Sequence, residues 1–67
     1  MRKNLKLFRI KNGNLTQHEM AKRCGRTRGM YAHVERGFRD GSDEFWNNLK
    51  TGFNLSDKAV KELQKNE

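Results

Sequence analysis

The chain has 67 residues, of which fifteen are Lys or Arg and eight are Asp or Glu, so its formal net charge at neutral pH is +7. A chain of this length buries only about 60% of the surface that it exposes when unfolded, which leaves no room for a catalytic cavity beside a core. We therefore expect a single domain over residues 1–67 that is not an enzyme. One cysteine and two histidines exclude an internal disulfide and a zinc site of the usual spacing, and we expect no metal or other cofactor.

The apolar segments of the chain are short and scattered. None approaches the roughly 18 residues that a membrane-spanning helix needs, and the N-terminus lacks the apolar block of a secretory signal. These features predict a cytoplasmic protein with no membrane partner. The absence of proline removes one source of helix breaks and favours an all-α fold.

The first two predicted helices are short. Apolar residues three positions apart predict a first helix over about residues 3–12 that ends at Gly13. Thr16 and Glu19 have the spacing of a capping box, in which each side chain accepts a hydrogen bond from the backbone N–H of the other residue. The second helix therefore begins after Thr16, and it ends at Gly25.

A third helix is predicted from Thr27, as its N-cap, to about Arg36, with Gly37 as its stop. Its apolar residues Tyr31 and Val34 must face the second helix. The residues expected to face outward are Arg28, Gly29, Ala32, His33 and Arg36.

Two further helices complete the predicted fold. Ser42 caps a fourth helix that ends at Gly52, and Ser56 caps a fifth. The sequence thus predicts a compact five-helix bundle.

The charge is concentrated in the first part of the chain. Residues 1–41 have a net charge of +8, whereas residues 42–67 have a net charge of −1. A basic region joined to a nearly neutral one favours a polyanion as the partner of the basic region, and nucleic acid is the leading candidate. The alternative is a solvated basic surface without a function.

Two short helices joined by a tight turn that contains glycine have the outline of a helix-turn-helix, here over about residues 16–36. Further residues match a known pattern: Leu15-Thr16-Gln17, Glu19-Met20-Ala21, Cys24-Gly25, Thr27, Tyr31, Val34-Glu35 and Gly37. On these positions the chain resembles the Cro/C1-type family of phage-repressor-like helix-turn-helix domains, over about residues 4–64.

The resemblance implies a lambda-repressor-like fold in which the third helix, about residues 27–36, lies in the major groove of DNA. It implies a Cro-like repressor, a sequence-specific transcription regulator from a phage or other mobile element of a bacterium. Its partner would be a double-stranded DNA operator with two-fold symmetry, bound by a homodimer. The sequence shows no pocket for a small-molecule effector.

The resemblance also assigns roles to single residues. Base contacts are implied for Arg28, Gly29 and His33, although Gly29 has no side chain with which to form a hydrogen bond. Gln17 is expected to contact a DNA phosphate and to brace the recognition helix. Arg9 and Glu35 are implied as a structural ion pair.

The basic residues of this region have side-chain chemistry that suits contact with DNA. The planar fork of an arginine such as Arg28 matches the O6 and N7 acceptors of guanine. Arg26, Arg36 and Arg39 border the third helix, where phosphate contacts would supply affinity without sequence preference.

Two other functions fit parts of the sequence. The nearly neutral residues 42–67 would suit a protein-interaction module on the same fold, such as an antitoxin or an accessory regulator. A basic peptide acting on anionic membranes is disfavoured because the helices are short and lack a long apolar stripe.

Overall fold

The computed structural model describes all 67 residues and contains five α-helices and no β-strand. The helices are α1 (Lys3–Lys11), α2 (Gln17–Arg23), α3 (Arg28–Arg36), α4 (Asp43–Gly52) and α5 (Asp57–Gln64). The predicted all-α fold with five helices is confirmed. None of these helices has the length and apolar character that crossing a membrane requires.

Hydroxyl side chains fix the start of four of the five helices. In each case the hydroxyl oxygen accepts a hydrogen bond from the backbone N–H three residues later, which satisfies one N–H that the helix itself leaves free. At α2 the carboxylate of Glu19 also accepts from the N–H of Thr16 at 3.0 Å, which completes the predicted capping box. The four capping residues are Thr16, Thr27, Ser42 and Ser56.

All five helices contribute to one hydrophobic core, and the molecule measures 26 × 23 × 22 Å. Phe45 of α4 packs on Tyr31 of α3, with the two rings stacked and their centroids 6.0 Å apart. Two partly buried aromatic residues extend the core. Phe8 of α1 packs edge to face on Phe53, with the ring centroids 4.9 Å apart. The buried core residues are Leu5, Met20, Ala21, Cys24, Tyr31, Val34, Phe45, Trp46, Leu49, Val60 and Leu63.

The inward face of α3 is wider than the sequence pattern predicts. Ala32 was expected to face outward, but it is only 9% exposed. Successive helical residues are about 100° apart, so Ala32 borders Glu35 on the helix surface. The buried arc therefore runs from Val34 through Tyr31 and Glu35 to Ala32, and the expectation for Ala32 was wrong.

Arg2 anchors the segment before α1, and the sequence pattern gave no sign of this role. Its side chain is buried, with Nη1 donating to the carbonyl oxygens of Val34 at 2.6 Å and Arg39 at 2.8 Å, and Nε donating to that of Gln64 at 3.1 Å. The guanidinium carbon also lies 5.7 Å from the centroid of the Trp46 ring. One cation thus joins the end of α3, the loop after it and the end of α5.

Candidate nucleic-acid interface

The connection between α2 and α3 is a tight turn built on Gly25. Gly25 has a φ of +66°, in the left-handed region that strains residues with a side chain. The N–H of Arg26 donates to the carbonyl of Ala21 at 2.9 Å, and Asn48 of α4 donates to the carbonyl of Cys24 at 3.0 Å. A Cβ at Gly25 would lie 3.2 Å from Nδ2 of Asn48, so the turn favours glycine. The hydrogen bond from Asn48 ties the turn to α4.

A buried carboxylate, Glu35, fixes the inward side of α3. Its side chain is 2% exposed, and Arg9 of α1 donates to both of its oxygens, from Nε at 3.0 Å and from Nη2 at 3.2 Å. The hydroxyl of Tyr31 donates at 2.8 Å, and Nε2 of Gln17 donates at 3.3 Å. Donors from α1, α2 and α3 therefore meet on one acceptor, which sets the position of α3 relative to the other two helices.

These contacts shift the pKa values of the three ionisable groups. Burial alone would raise the pKa of Glu35, but the hydrogen bonds from Arg9 and Tyr31 and the charge of Arg9 outweigh burial, so the pKa of Glu35 is lowered. The hydrogen bonds to Glu35 raise the pKa of Arg9. Burial, together with the hydrogen bond to Glu35, raises the pKa of Tyr31. Glu35 therefore stays charged while Tyr31 stays a neutral donor.

Gln17 faces inward with its side chain. It is the first residue of α2 and is half-buried, and its amide nitrogen is engaged by Glu35. This contact connects the start of α2 directly to α3. Of the two roles expected for Gln17, the structure places its side chain where it braces α3.

The outward side of α3 carries basic side chains without carboxylate partners. Arg28, Gly29, His33 and Arg36 are all exposed. Gly29, His33 and Arg36 lie opposite the buried arc of the helix, and Arg28 is the first residue of α3. Neither Arg28 nor Arg36 forms an ion pair. Their charges are therefore available to an anionic partner.

Arg26 and Arg39 line one open groove between α3 and the start of α4. Arg26 is already engaged there, because Nη2 donates to the hydroxyl of Ser42 at 3.2 Å and Nη1 lies 3.6 Å from a carboxylate oxygen of Glu44. The side chain of Arg39 is exposed and forms no ion pair. The groove thus presents one free cation and one that shares its charge with an acid.

Phe38 lies beside the outward side of α3 and was not among the predicted site residues. Its side chain is 73% exposed, and the centroid of its ring is 6.2 Å from that of His33. The sequence signal was its position directly after the helix stop Gly37. The structure therefore adds an aromatic group to the expected basic residues.

The one thiol of the chain lies in the core. Cys24 is buried, and burial raises the pKa of its thiol to about 11, which keeps the thiol protonated. No three His, Cys, Asp or Glu side chains are grouped so that they could hold a metal ion.

Comparison with family models, with curated proteins and with solved structures gives no match to this chain. The resemblance to the Cro/C1-type family therefore stays a prediction from the sequence. The functional interpretation depends on the geometry described above.

Proposed function

We propose that the protein is a sequence-specific DNA-binding transcription regulator, a Cro-like repressor in which α2 and α3 form a helix-turn-helix. The observation that supports this function best is the division of α3 into two sides. Its inner side is held by donors from three helices on Glu35, and its outer side presents His33 and Arg36 to solvent. Arg28 is exposed at the N-terminal end of the same helix. The major groove of DNA admits an α-helix. The phosphates of a duplex carry the negative charge that would pair with these unpaired basic side chains.

Base reading is assigned to the start and the middle of α3. Residues near the N-terminus of a recognition helix contact base edges in helix-turn-helix proteins. Arg28, the first residue of α3, would donate two hydrogen bonds to O6 and N7 of guanine. His33 would contact a neighbouring base, and Gly29 would bring the helix backbone close to the groove.

Phosphate binding is assigned to the cations that border α3. Arg36 and Arg39 are exposed and free of ion pairs, so they could bind phosphates without breaking an ion pair within the protein. Arg26 would first have to give up Glu44 and Ser42, and we expect a smaller contribution from it. Gln17 would act by bracing α3, with its backbone N–H left for a phosphate.

The size of the molecule suits a two-fold symmetric operator. Its longest extent is 26 Å, and adjacent half-sites on one side of a duplex are about 34 Å apart. Two protomers would therefore fit side by side, each with α3 in a major groove. We propose a homodimer on DNA in the cytoplasm of a bacterial or phage-infected cell.

Selection of binding sites from a pool of random duplexes tests this function. We expect enrichment of a sequence with two-fold symmetry. With the selected duplex, Arg28→Ala should relax the preference at one base in each half by about 1–3 kcal/mol. Arg39→Ala should weaken every duplex alike and make the slope of log affinity against log salt shallower by about 0.9.

Lys58→Ala is the matched control, because Lys58 is an exposed base on α5 without an ion pair. It should bind the selected duplex as the unchanged protein does. If no sequence is enriched and all three variants behave alike, the proposal is wrong. A stable protein partner found in that case would favour the interaction module instead.

A further inference from the structure

Phe38 differs from the other aromatic residues of the chain in its exposure. The other five are buried or pack against the core, whereas Phe38 is 73% exposed. A phenylalanine ring this exposed does not contribute the free energy that burial of its apolar surface would provide. A partner that covers the ring would recover it.

Backbone hydrogen bonds fix the position of Phe38 at the end of α3. Its N–H donates to the carbonyl of His33 at 2.9 Å, and the N–H of Gly37 donates to that of Val34 at 3.1 Å. These are the two hydrogen bonds of a Schellman motif, in which an apolar residue at the position of Phe38 commonly packs back on the helix. Here the residue that it meets is His33, which is itself exposed, so both rings stay at the surface.

The charges around Phe38 restrict its partner. Arg36 and Arg39 flank it in the chain, and neither forms an ion pair. A second copy of this chain, placed face to face, would bring four unpaired arginines together with only the two exposed Asp40 carboxylates to offset them, and the remaining repulsion disfavours this pairing. The partner that fits is anionic at its edges and apolar where it meets the ring.

The major groove of DNA offers such a combination. Phosphates line its edges, and its floor carries one apolar group, the 5-methyl of thymine, which side chains such as Phe contact. We propose that Phe38 is a specificity-determining residue that contacts the methyl group of a thymine beside the base read by His33. This inference rests on the proposed function.

Replacement of thymine by deoxyuridine tests the contact, since it removes only the methyl group. Each thymine in one half of the selected duplex is replaced in turn, and affinities are measured for the unchanged protein and for Phe38→Ala. At one position we expect the unchanged protein to lose affinity about fourfold, from the roughly 0.8 kcal/mol that burial of one methyl contributes. Phe38→Ala should bind the duplex with thymine at that position and the duplex with deoxyuridine there with equal affinity.

Leu7→Ala provides the control for loss of an exposed apolar side chain. Leu7 is 51% exposed and lies on α1, outside the proposed interface, so this variant should keep the fourfold preference for thymine. The inference is overturned if the selected duplex binds but Phe38→Ala retains the same preference. It is also overturned if Phe38→Ala abolishes a dimer in sedimentation while the preference persists, because the ring then covers a second copy. If no duplex is selected, the proposed function itself fails.

Discussion

Charged groups are used in opposite ways on the two sides of α3. On the inner side the charges of Arg9 and Glu35 neutralise each other, and no buried polar side-chain atom of the protein lacks a hydrogen-bond partner. On the outer side His33 and Arg36 are exposed and form no ion pair, and the same holds for Arg28 at the start of the helix. The inner side therefore determines where the helix lies. The outer residues contribute little to folding and are free to serve a partner.

Loss of the Glu35 carboxylate should have the largest effect on the inner side. Glu35→Ala leaves the guanidinium of Arg9 without its partner and the donors of Tyr31 and Gln17 without an acceptor. We expect the free energy of unfolding to fall by about 3 kcal/mol, at the lower end of the range for breaking a buried pair. The guanidinium of Arg9 is 14% exposed and still donates to the carbonyl of Leu15, which limits the loss. Urea denaturation followed by circular dichroism measures this change.

Glu62→Ala is the matched control for that variant. Glu62 pairs with Lys65 at 3.1 Å, but both side chains are more than half exposed, so water screens the pair. We expect an unfolding midpoint close to that of the unchanged protein. Equal destabilisation by the two variants would show that Glu35 is no more important to the fold than a surface acid.

Acid should weaken the inner side less than the substitution does, because protonated Glu35 keeps its volume and part of its hydrogen bonding. The pKa of Glu35 is lowered in the folded protein. Its contribution to stability is therefore complete above the ordinary value of about 4.3 and is lost as the pH falls through the lower folded value. Thermal unfolding between about pH 6 and pH 2 should show a falling midpoint, with a smaller fall in Glu35→Gln. An identical pH dependence in both proteins would contradict this assignment.

Local sequence signals were sufficient to predict the helices. The hydroxyl caps and the glycine stops act over three or four residues, so Thr16, Thr27 and Gly37 could be identified from their neighbours alone. The burial of Ala32 could not, because it depends on how wide an arc of α3 the other helices cover. Arg2 was also missed, since its acceptors lie 32 to 62 residues away in the chain.

The candidate site was predictable in composition and less so in its contacts. The outward position of Gly29, His33 and Arg36 follows from helical periodicity, and the structure agrees. Arg28 shares the stripe of Tyr31 and Glu35 and is exposed because it is the first residue of α3. The engagement of Arg26 by Glu44 depends on the packing of α4 and has no local signal. The outward residues make few contacts within the protein, so the packing pattern of the sequence does not encode what they bind.

The turn between α2 and α3 should respond to substitution by an intermediate amount. In Gly25→Ala the new Cβ would lie 3.2 Å from Asn48 on a backbone with φ of +66°, a left-handed conformation. That conformation costs a residue with a side chain about 1–2 kcal/mol, and we expect a loss of stability of that size in urea. If stability is unchanged, the turn relaxes without effect on α3 and does not fix its angle.

Gly29→Ala should have the smallest effect on folding, and with the opposite sign. Gly29 lies within α3, and a Cβ there would meet no atom within 4 Å. Alanine restricts the unfolded chain and favours the helix, so we expect stability to rise by about 0.5–1 kcal/mol. The same methyl group would lie on the surface proposed to approach DNA, where it should lower affinity for the selected duplex. Gly52→Ala, which also adds a methyl in open space but on α4, should leave that affinity unchanged. A variant at Gly29 that is more stable and binds as tightly as the unchanged protein would place the duplex contact elsewhere than the start of α3.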